Sequence, residues 1–321
     1  MNKYPLNSAG RNMVKNIPIC HQNDAISDVR EMLLKTTDAL ESINYVYVID
    51  KNSKLIGVFS VKDIFRRSQA KVKEIMETEL VKAKLYTDQE RVAILALQKN
   101  LKSIPVVDKN NKLMGVVPSD IILDILNTEN IEDFLRMTGI NSPLQKLLKG
   151  SAWYLFKVRI PWLMLGLLGG ILGATIISYF EGPLKEHFVL AGFIPLMLYM
   201  SGAVGNQTEV LFIRNTLLDN KLGVTRYFFR EIRTGFLIAL CLVSFLFLVS
   251  FIFFKASYYI SIILGLSLFL AIFSAITIGI FMPCVLRKFG KDPAIGSGPF
   301  AAIMRDILAL IIYFLVASIL L

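Results

Sequence analysis

The sequence predicts a two-part chain: an α/β pair of repeated soluble modules, then an all-α membrane domain of five transmembrane helices. Three observations predict it. The composition changes along the chain, a strand–turn–strand segment occurs twice in the polar part, and five long apolar runs follow. The chain has 321 residues and is 54% hydrophobic, an average that conceals the division. Residues 1–159 hold 24 Lys+Arg and 18 Asp+Glu, an ordinary soluble surface, whereas the long apolar runs lie in 160–321.

The repeat defines the soluble part. Val48-Ile49-Asp50-Lys51-Asn52-Ser53-Lys54-Leu55-Ile56-Gly57-Val58 returns 58 residues later as Val106-Val107-Asp108-Lys109-Asn110-Asn111-Lys112-Leu113-Met114-Gly115-Val116. Each copy reads as strand, polar turn, strand and then helix. An amphipathic helix is expected upstream of each copy, over Ala25 to Lys35 and over Gln89 to Leu101.

Five spans are expected: Ile160 to Phe180 with Pro161 at the helix start, Phe188 to Ile213, Thr234 to Phe254, a stretch within Ala256 to Leu286, and Pro299 to Leu321. About 20 helical residues cross the hydrocarbon core, and each run is long enough. Lys157 and Arg159 precede the first span. Arg214, Lys221, Arg226, Arg230 and Arg233 follow the second, and Arg287, Lys288 and Lys291 follow the fourth. The opposite loops hold only Lys185 and Lys255, so the positive side marks the cytosol and gives N-in, C-out. The first 20 residues contain no apolar core of a signal peptide, and the N-terminus is expected to stay in the cytosol. The net charge of +10 clusters beside membrane segments, so orientation accounts for it and no nucleic-acid partner is expected. Cys20, Cys241 and Cys284 are scattered without a metal-type spacing and read as plain buried thiols.

Asp306 carries the functional signal. It sits in an otherwise apolar fifth span, beside Arg305. An ionised carboxylate is costly in hydrocarbon, so such a residue faces a water-filled path or a cation. At 1.5 Å per residue Asp306 lies roughly 10 Å inside Pro299. Arg305 is rotated about 100° from it, and its stem is expected to snorkel to the cytosolic interface. The second span holds Pro195, Ser201, Gly202, Ala203, Gly205, Asn206 and Gln207, which predict a kinked or broken helix lining a wet cavity. Gly166, Gly169, Gly170 and Gly173 give the first span a close-packing face.

The repeated unit resembles a pair of cystathionine-β-synthase (CBS) modules over about Val14 to Ile125. Such modules often bind adenine nucleotides through a hydroxyl and an Asp three residues later. Ser60 and Asp63 after Gly57 fit that pattern, whereas the second module places Pro118 at the hydroxyl position before Ser119 and Asp120. The helix from Glu129 to Gly139 leads into Arg159-Ile160-Pro161-Trp162 and resembles the connecting, or plug, helix of the MgtE magnesium channels. Pro195 to Gln207 resembles their second-span motif, and Asp292-Pro293-Ala294 through Pro299 to Asp306 their fifth-span motif. Departures are Ala203 where the family usually has Asn, Arg305 beside the carboxylate, and a first module that begins within about 15 residues of the start, so that the family's N-terminal helical domain is expected to be absent.

The resemblance implies a homodimeric, Mg2+-selective and Mg2+-gated channel in the plasma membrane, with 1–126 as the CBS pair, 127–159 as the connecting helix and 160–321 as the pore domain. Asp306 would hold the ion, with Ser201, Gly202, Ala203, Gly205, Asn206, Ser297 and Pro299 lining the pore. Asp120, Asp124, Glu129, Glu132 and Asp133 would bind regulatory Mg2+, and ATP or another adenine nucleotide would use Ser60 and Asp63. Mg2+ is hard, octahedral and slow to lose water, so a carboxylate presented twice across a twofold axis suits a largely hydrated ion. Two rival readings are a divalent-metal carrier or exporter for Mn2+, Co2+ or Zn2+, and a membrane-anchored nucleotide sensor that transports nothing. No His/Cys cluster favours the softer metals, and no Walker motif or catalytic triad points to an enzyme.

Overall fold

The computed structural model describes residues 4–180, 182, 187–218, 223–289 and 297–321. The chain divides into two compact units, residues 1–130 and 131–321.

The first unit holds two matching α/β modules. In the first, β1 (Ile19–His21) pairs in parallel with β2 (Tyr45–Ile49), which pairs antiparallel with β3 (Leu55–Ser60). In the second, β4 (Ala83–Lys84), β5 (Ser103–Val107) and β6 (Leu113–Pro118) repeat the order and directions. The expected helices run over Ile26–Thr36 and Gln89–Gln98. The register slips once in each module, between Val48 and Ile49 and between Val106 and Val107.

The turn chemistry explains why both copies fold alike. Asp50 Oδ1 accepts from the amides of Asn52 and Lys54, each at 2.8 Å, and Asp108 Oδ1 accepts from Asn110 and Lys112 at the same distances. Ser53 and Asn111 sit at matching left-handed positions with φ of 62° and 65°. The two turns also bond each other, Leu55 N to Asn111 O at 3.0 Å and Leu113 N to Ser53 O at 3.1 Å. Each module has its own core, Val46, Val48 and Phe59 in one and Val92, Ile104 and Val117 in the other. A shared layer of Ile17, Tyr47, Leu55, Val107 and Val116 joins them, and the Tyr47 hydroxyl lies 2.6 Å from Ser103 Oγ. Burying each of these large side chains contributes about 1.5–3 kcal/mol.

The second unit contains five helices long and apolar enough to cross a membrane: Ala152–Tyr179, Phe188–Thr216, Val224–Ile252, Tyr258–Lys288 and Gly298–Leu320. The fourth is the central one, packed against the second, third and fifth. Three expectations are corrected. The first helix starts nine residues before Pro161, because Ser151 caps it by accepting from Tyr154 N, so Pro161 is interior. The second helix runs unbroken through Pro195, so the expected break does not occur: a helix of 31 residues carries the missing donor and ring clash of one proline. Arg226, Arg230 and Arg233 lie on the third helix rather than in a loop. Of the first-span glycines, Gly169 and Gly173 meet Ile303 and Leu310 of the fifth helix, while Gly166 and Gly170 face open space. Cys20 is buried as expected and Cys284 half-buried, but Cys241 is exposed on the third helix. Lys185, Lys221 and Lys291 lie outside the described residues.

Candidate functional site

The fifth helix carries a buried stripe at four-residue spacing: Ala301, Arg305, Ala309, Tyr313 and Ala317 are all 0% exposed. This spacing is one face of an α-helix, so Arg305 points into the protomer. The snorkelling expectation is therefore wrong. Arg305 Nη1 lies 3.2 Å from Glu209 Oε2, and Nη2 donates to Asn206 Oδ1 at 2.6 Å. Glu209 is 3% exposed on the second helix. Burial explains the pairing, because an isolated charge at that depth carries a penalty of several kcal/mol. Gly205 makes room for the guanidinium: a Cβ there would stand 2.7 Å from Arg305 Nη1. Gly279 of the fourth helix lets the second approach closely, with Gly205 O at 2.9 Å from its would-be Cβ. Asp306 is on the next helical position and is half-buried.

Glu209 was not singled out from the sequence. A signal for it was present, since one acidic and one basic residue in two separate apolar spans are natural partners.

A cavity of about 540 Å³ adjoins this cluster. Asn206, Glu209, Val210 and Arg214 line it from the second helix, Gly298, Pro299 and Ala302 from the fifth, and Asp133, Phe134, Met137 and Thr138 from the segment before the first span. That segment is the end of a helix covering Ser119–Met137. It stops at Gly139, whose φ is +82°, with Gly139 N bonded to Arg136 O and Ile140 N to Leu135 O. This is the Schellman geometry that glycine favours. A Cβ on Gly139 would meet Trp162 and Pro299, and one on Gly298 would strike the Met137 carbonyl.

The remaining expected residues fall as follows. Ser201 is fully buried, Gly202, Ala203 and Pro299 are half-buried, Gly205 is buried and Asn206 exposed. Ser297 opens the fifth helix, and its side chain and Asp292 to Gly296 lie outside the described residues. Glu129 is buried and accepts from Gln89 Nε2 at 2.6 Å. Glu132 pairs with Arg136 at 2.9 Å, and Asp133 lies 3.9 Å from the same guanidinium. Asp120 and Asp124 are exposed. Among the described residues no three His, Cys, Asp or Glu side chains are grouped to hold a metal ion. Ser60 and Asp63 form a capping box for the helix Val61–Arg66, Ser60 Oγ accepting from Lys62 N and Asp63 from Ser60 N, both at 3.3 Å.

Residues 194–316 match the family model MgtE, described as divalent cation transporter, and residues 11–70 and 72–128 match the CBS domain model. The chain is 35% identical to the magnesium transporter MgtE of Bacillus subtilis, over 98% of this chain and 70% of that protein. It is 32% identical to the magnesium transporter MgtE of Thermus thermophilus, over 99% and 71%. The crystal structure of the cytosolic domain of the Mg2+ channel MgtE in complex with ATP is similar at 31% identity and a TM-score of 0.38, covering 38% of this chain and half of that one. With two CBS domains, five candidate spans and these relatives, the chain belongs to the MgtE family of divalent cation transporters.

Proposed function

We propose that the chain is a homodimeric, Mg2+-selective channel of the plasma membrane, N-terminus cytosolic and C-terminus outside. The observation that carries the proposal is Asp306: a half-buried carboxylate inside an apolar helix, one position round from the protomer-facing Arg305. A carboxylate at that depth needs water or a cation, and a second copy across a twofold axis provides a site for a hydrated one. Gly202, Ala203, Asn206, Ser297 and Pro299 line the path in this reading, whereas Ser201 and Gly205 are buried inside the protomer, Gly205 against Arg305. Flow is passive, driven by the membrane potential at about 2.3 kcal/mol per charge per 100 mV.

Dimerisation is supported by surfaces that one protomer leaves open. The first span is 6% buried over its most apolar window. Leu34, Ile43 and Phe65 are exposed around a cavity of about 190 Å³ in the first CBS module. Apolar surface of this kind suits a second copy or, in the span, lipid.

Gating by cytosolic Mg2+ would act through the acidic residues Asp120, Asp124, Glu129, Glu132 and Asp133 and the connecting segment 127–159. Support comes from the close approach of Met137 and Gly139 to Gly298 and Pro299 at the start of the fifth span. An adenine nucleotide such as ATP would bind at Ser60 and Asp63, whose capping bonds leave the second carboxylate oxygen of Asp63 for a ribose hydroxyl. Calorimetry on wild type and Asp63→Ala tests that site.

The channel reading is tested by Mg2+ influx into liposomes under an imposed potential, without sodium. Influx that follows the potential is expected. Influx that requires a sodium gradient supports a carrier instead, and the absence of influx with intact dimer rejects transport.

A further inference from the structure

The Arg305–Glu209 pair calls for a reason other than stability. A buried ion pair replaced by apolar groups of similar size is often neutral or stabilising, so burial of two charges is weak evidence for a structural brace. The placement is more telling. Arg305 is fully buried, its Nη1 on Glu209 at 3.2 Å and its Nη2 on Asn206 at 2.6 Å. Both partners line the 540 Å³ cavity, which Asp133 and Arg214 also line. Gly205 supplies the space that the guanidinium fills. Asp306, the ion-binding carboxylate of the proposed pathway, is the next residue.

We propose that Arg305 and Glu209 are a charge-cancelling pair that leaves Asp306 to set the field of the ion pathway. Arg305 offsets the Glu209 carboxylate, so the pair adds no net charge beside Asp306, and Asp306 governs how strongly a hydrated cation is held. The two residues act as specificity-determining, positioning residues through electrostatics, and the inference rests on the channel reading. Losing the Arg305 charge adds one negative charge per subunit near the path. Losing the Glu209 charge leaves a guanidinium adjacent to Asp306 and weakens the attraction.

These opposite signs give the test. Hexaamminecobalt(III), a trivalent and non-exchanging mimic of hydrated Mg2+, is used to block Mg2+ influx into liposomes carrying the full chain. Arg305→Met is expected to lower the half-blocking concentration about tenfold, and Glu209→Gln to raise it about tenfold, as expected of one charge at close range. The double variant, Arg305→Met with Glu209→Gln, is expected to stay within about threefold of wild type. Singles that shift in the same direction, or that both stay within threefold, overturn the proposal, because a brace would damage flux without a charge-dependent sign. If a single does not assemble, the double decides: block within threefold supports the proposal, and a larger shift overturns it. A double variant that fails to assemble makes the pair a brace and overturns it too. Wild-type liposomes without influx overturn both this inference and the channel reading, whereas normal wild-type influx with unshifted block overturns the inference alone.

Discussion

Arg305 Nη1 and Glu209 Oε2 stand 3.2 Å apart, both residues buried, and join two helices 96 positions apart in the chain. The contact lies beside Asp306, where the second and fifth spans pack together. It also explains why an arginine is tolerated next to the carboxylate: its charge is directed inward to Glu209, on the stripe that includes Ala301 and Ala309.

Gly205 and Gly202 should respond differently to alanine. A Cβ on Gly205 would enter the space of the Arg305 side chain, while one on Gly202 meets nothing within 4 Å. Gly205→Ala is expected to displace the guanidinium from Glu209 and destabilise the protomer by about 1–3 kcal/mol, the range for overpacking. Gly202→Ala should fold as wild type. Thermal unfolding in detergent, followed by near-ultraviolet circular dichroism, compares them.

Tyr47 and Ser103 are both buried, and their hydroxyls are 2.6 Å apart between the two CBS modules. Tyr47→Phe leaves the Ser103 hydroxyl buried without that bond, a loss of about 1–3 kcal/mol. Amides of β2 and β5 should then exchange with deuterium about tenfold faster or more, if they open with the whole module. Unchanged exchange would show that this bond does not hold the modules together.

Burial, reinforced by Asp24, pushes the Cys20 thiol up from 9.0 to about 12. Since the thiolate is the reactive form, iodoacetamide should leave Cys20 unmodified at pH 8 until the protein is denatured. The sign of the linked stability follows. The unfolded chain loses this proton first, so the contribution is intact below about pH 9 and declines as pH rises from there towards 12. Cys20→Ala should lessen that alkaline decline, measurable as midpoints of denaturation at pH 8 and pH 10.5.

The CBS pair was legible because its information is local. The Asp50 and Asp108 turns bond amides two and four residues on, so two similar stretches fold alike wherever they occur. The spans were legible because hydropathy reports length and apolarity directly. Helix ends were less so: the Ser151 cap lies outside the apolar run and moved the first helix start away from Pro161. The Arg305–Glu209 pair was missed because hydropathy registers each charge as an interruption and not as half of a contact. The rotation of Arg305 from Asp306 and its long stem read as a reach to the interface, whereas a buried carboxylate 96 residues earlier holds Arg305 inside the protomer.

Asp306→Asn tests the central claim most directly, because it keeps the shape of the side chain and removes only its charge. Mg2+ influx into liposomes under a fixed inside-negative potential is measured for wild type and variant at equal amounts of dimer. The expected result is a loss of at least about a hundredfold, the scale of about 2.7 kcal/mol, with Arg305 still paired to Glu209 and the dimer intact by size exclusion. Influx at the wild-type rate from an intact Asp306→Asn dimer would contradict the account, and the ion would have to be held elsewhere.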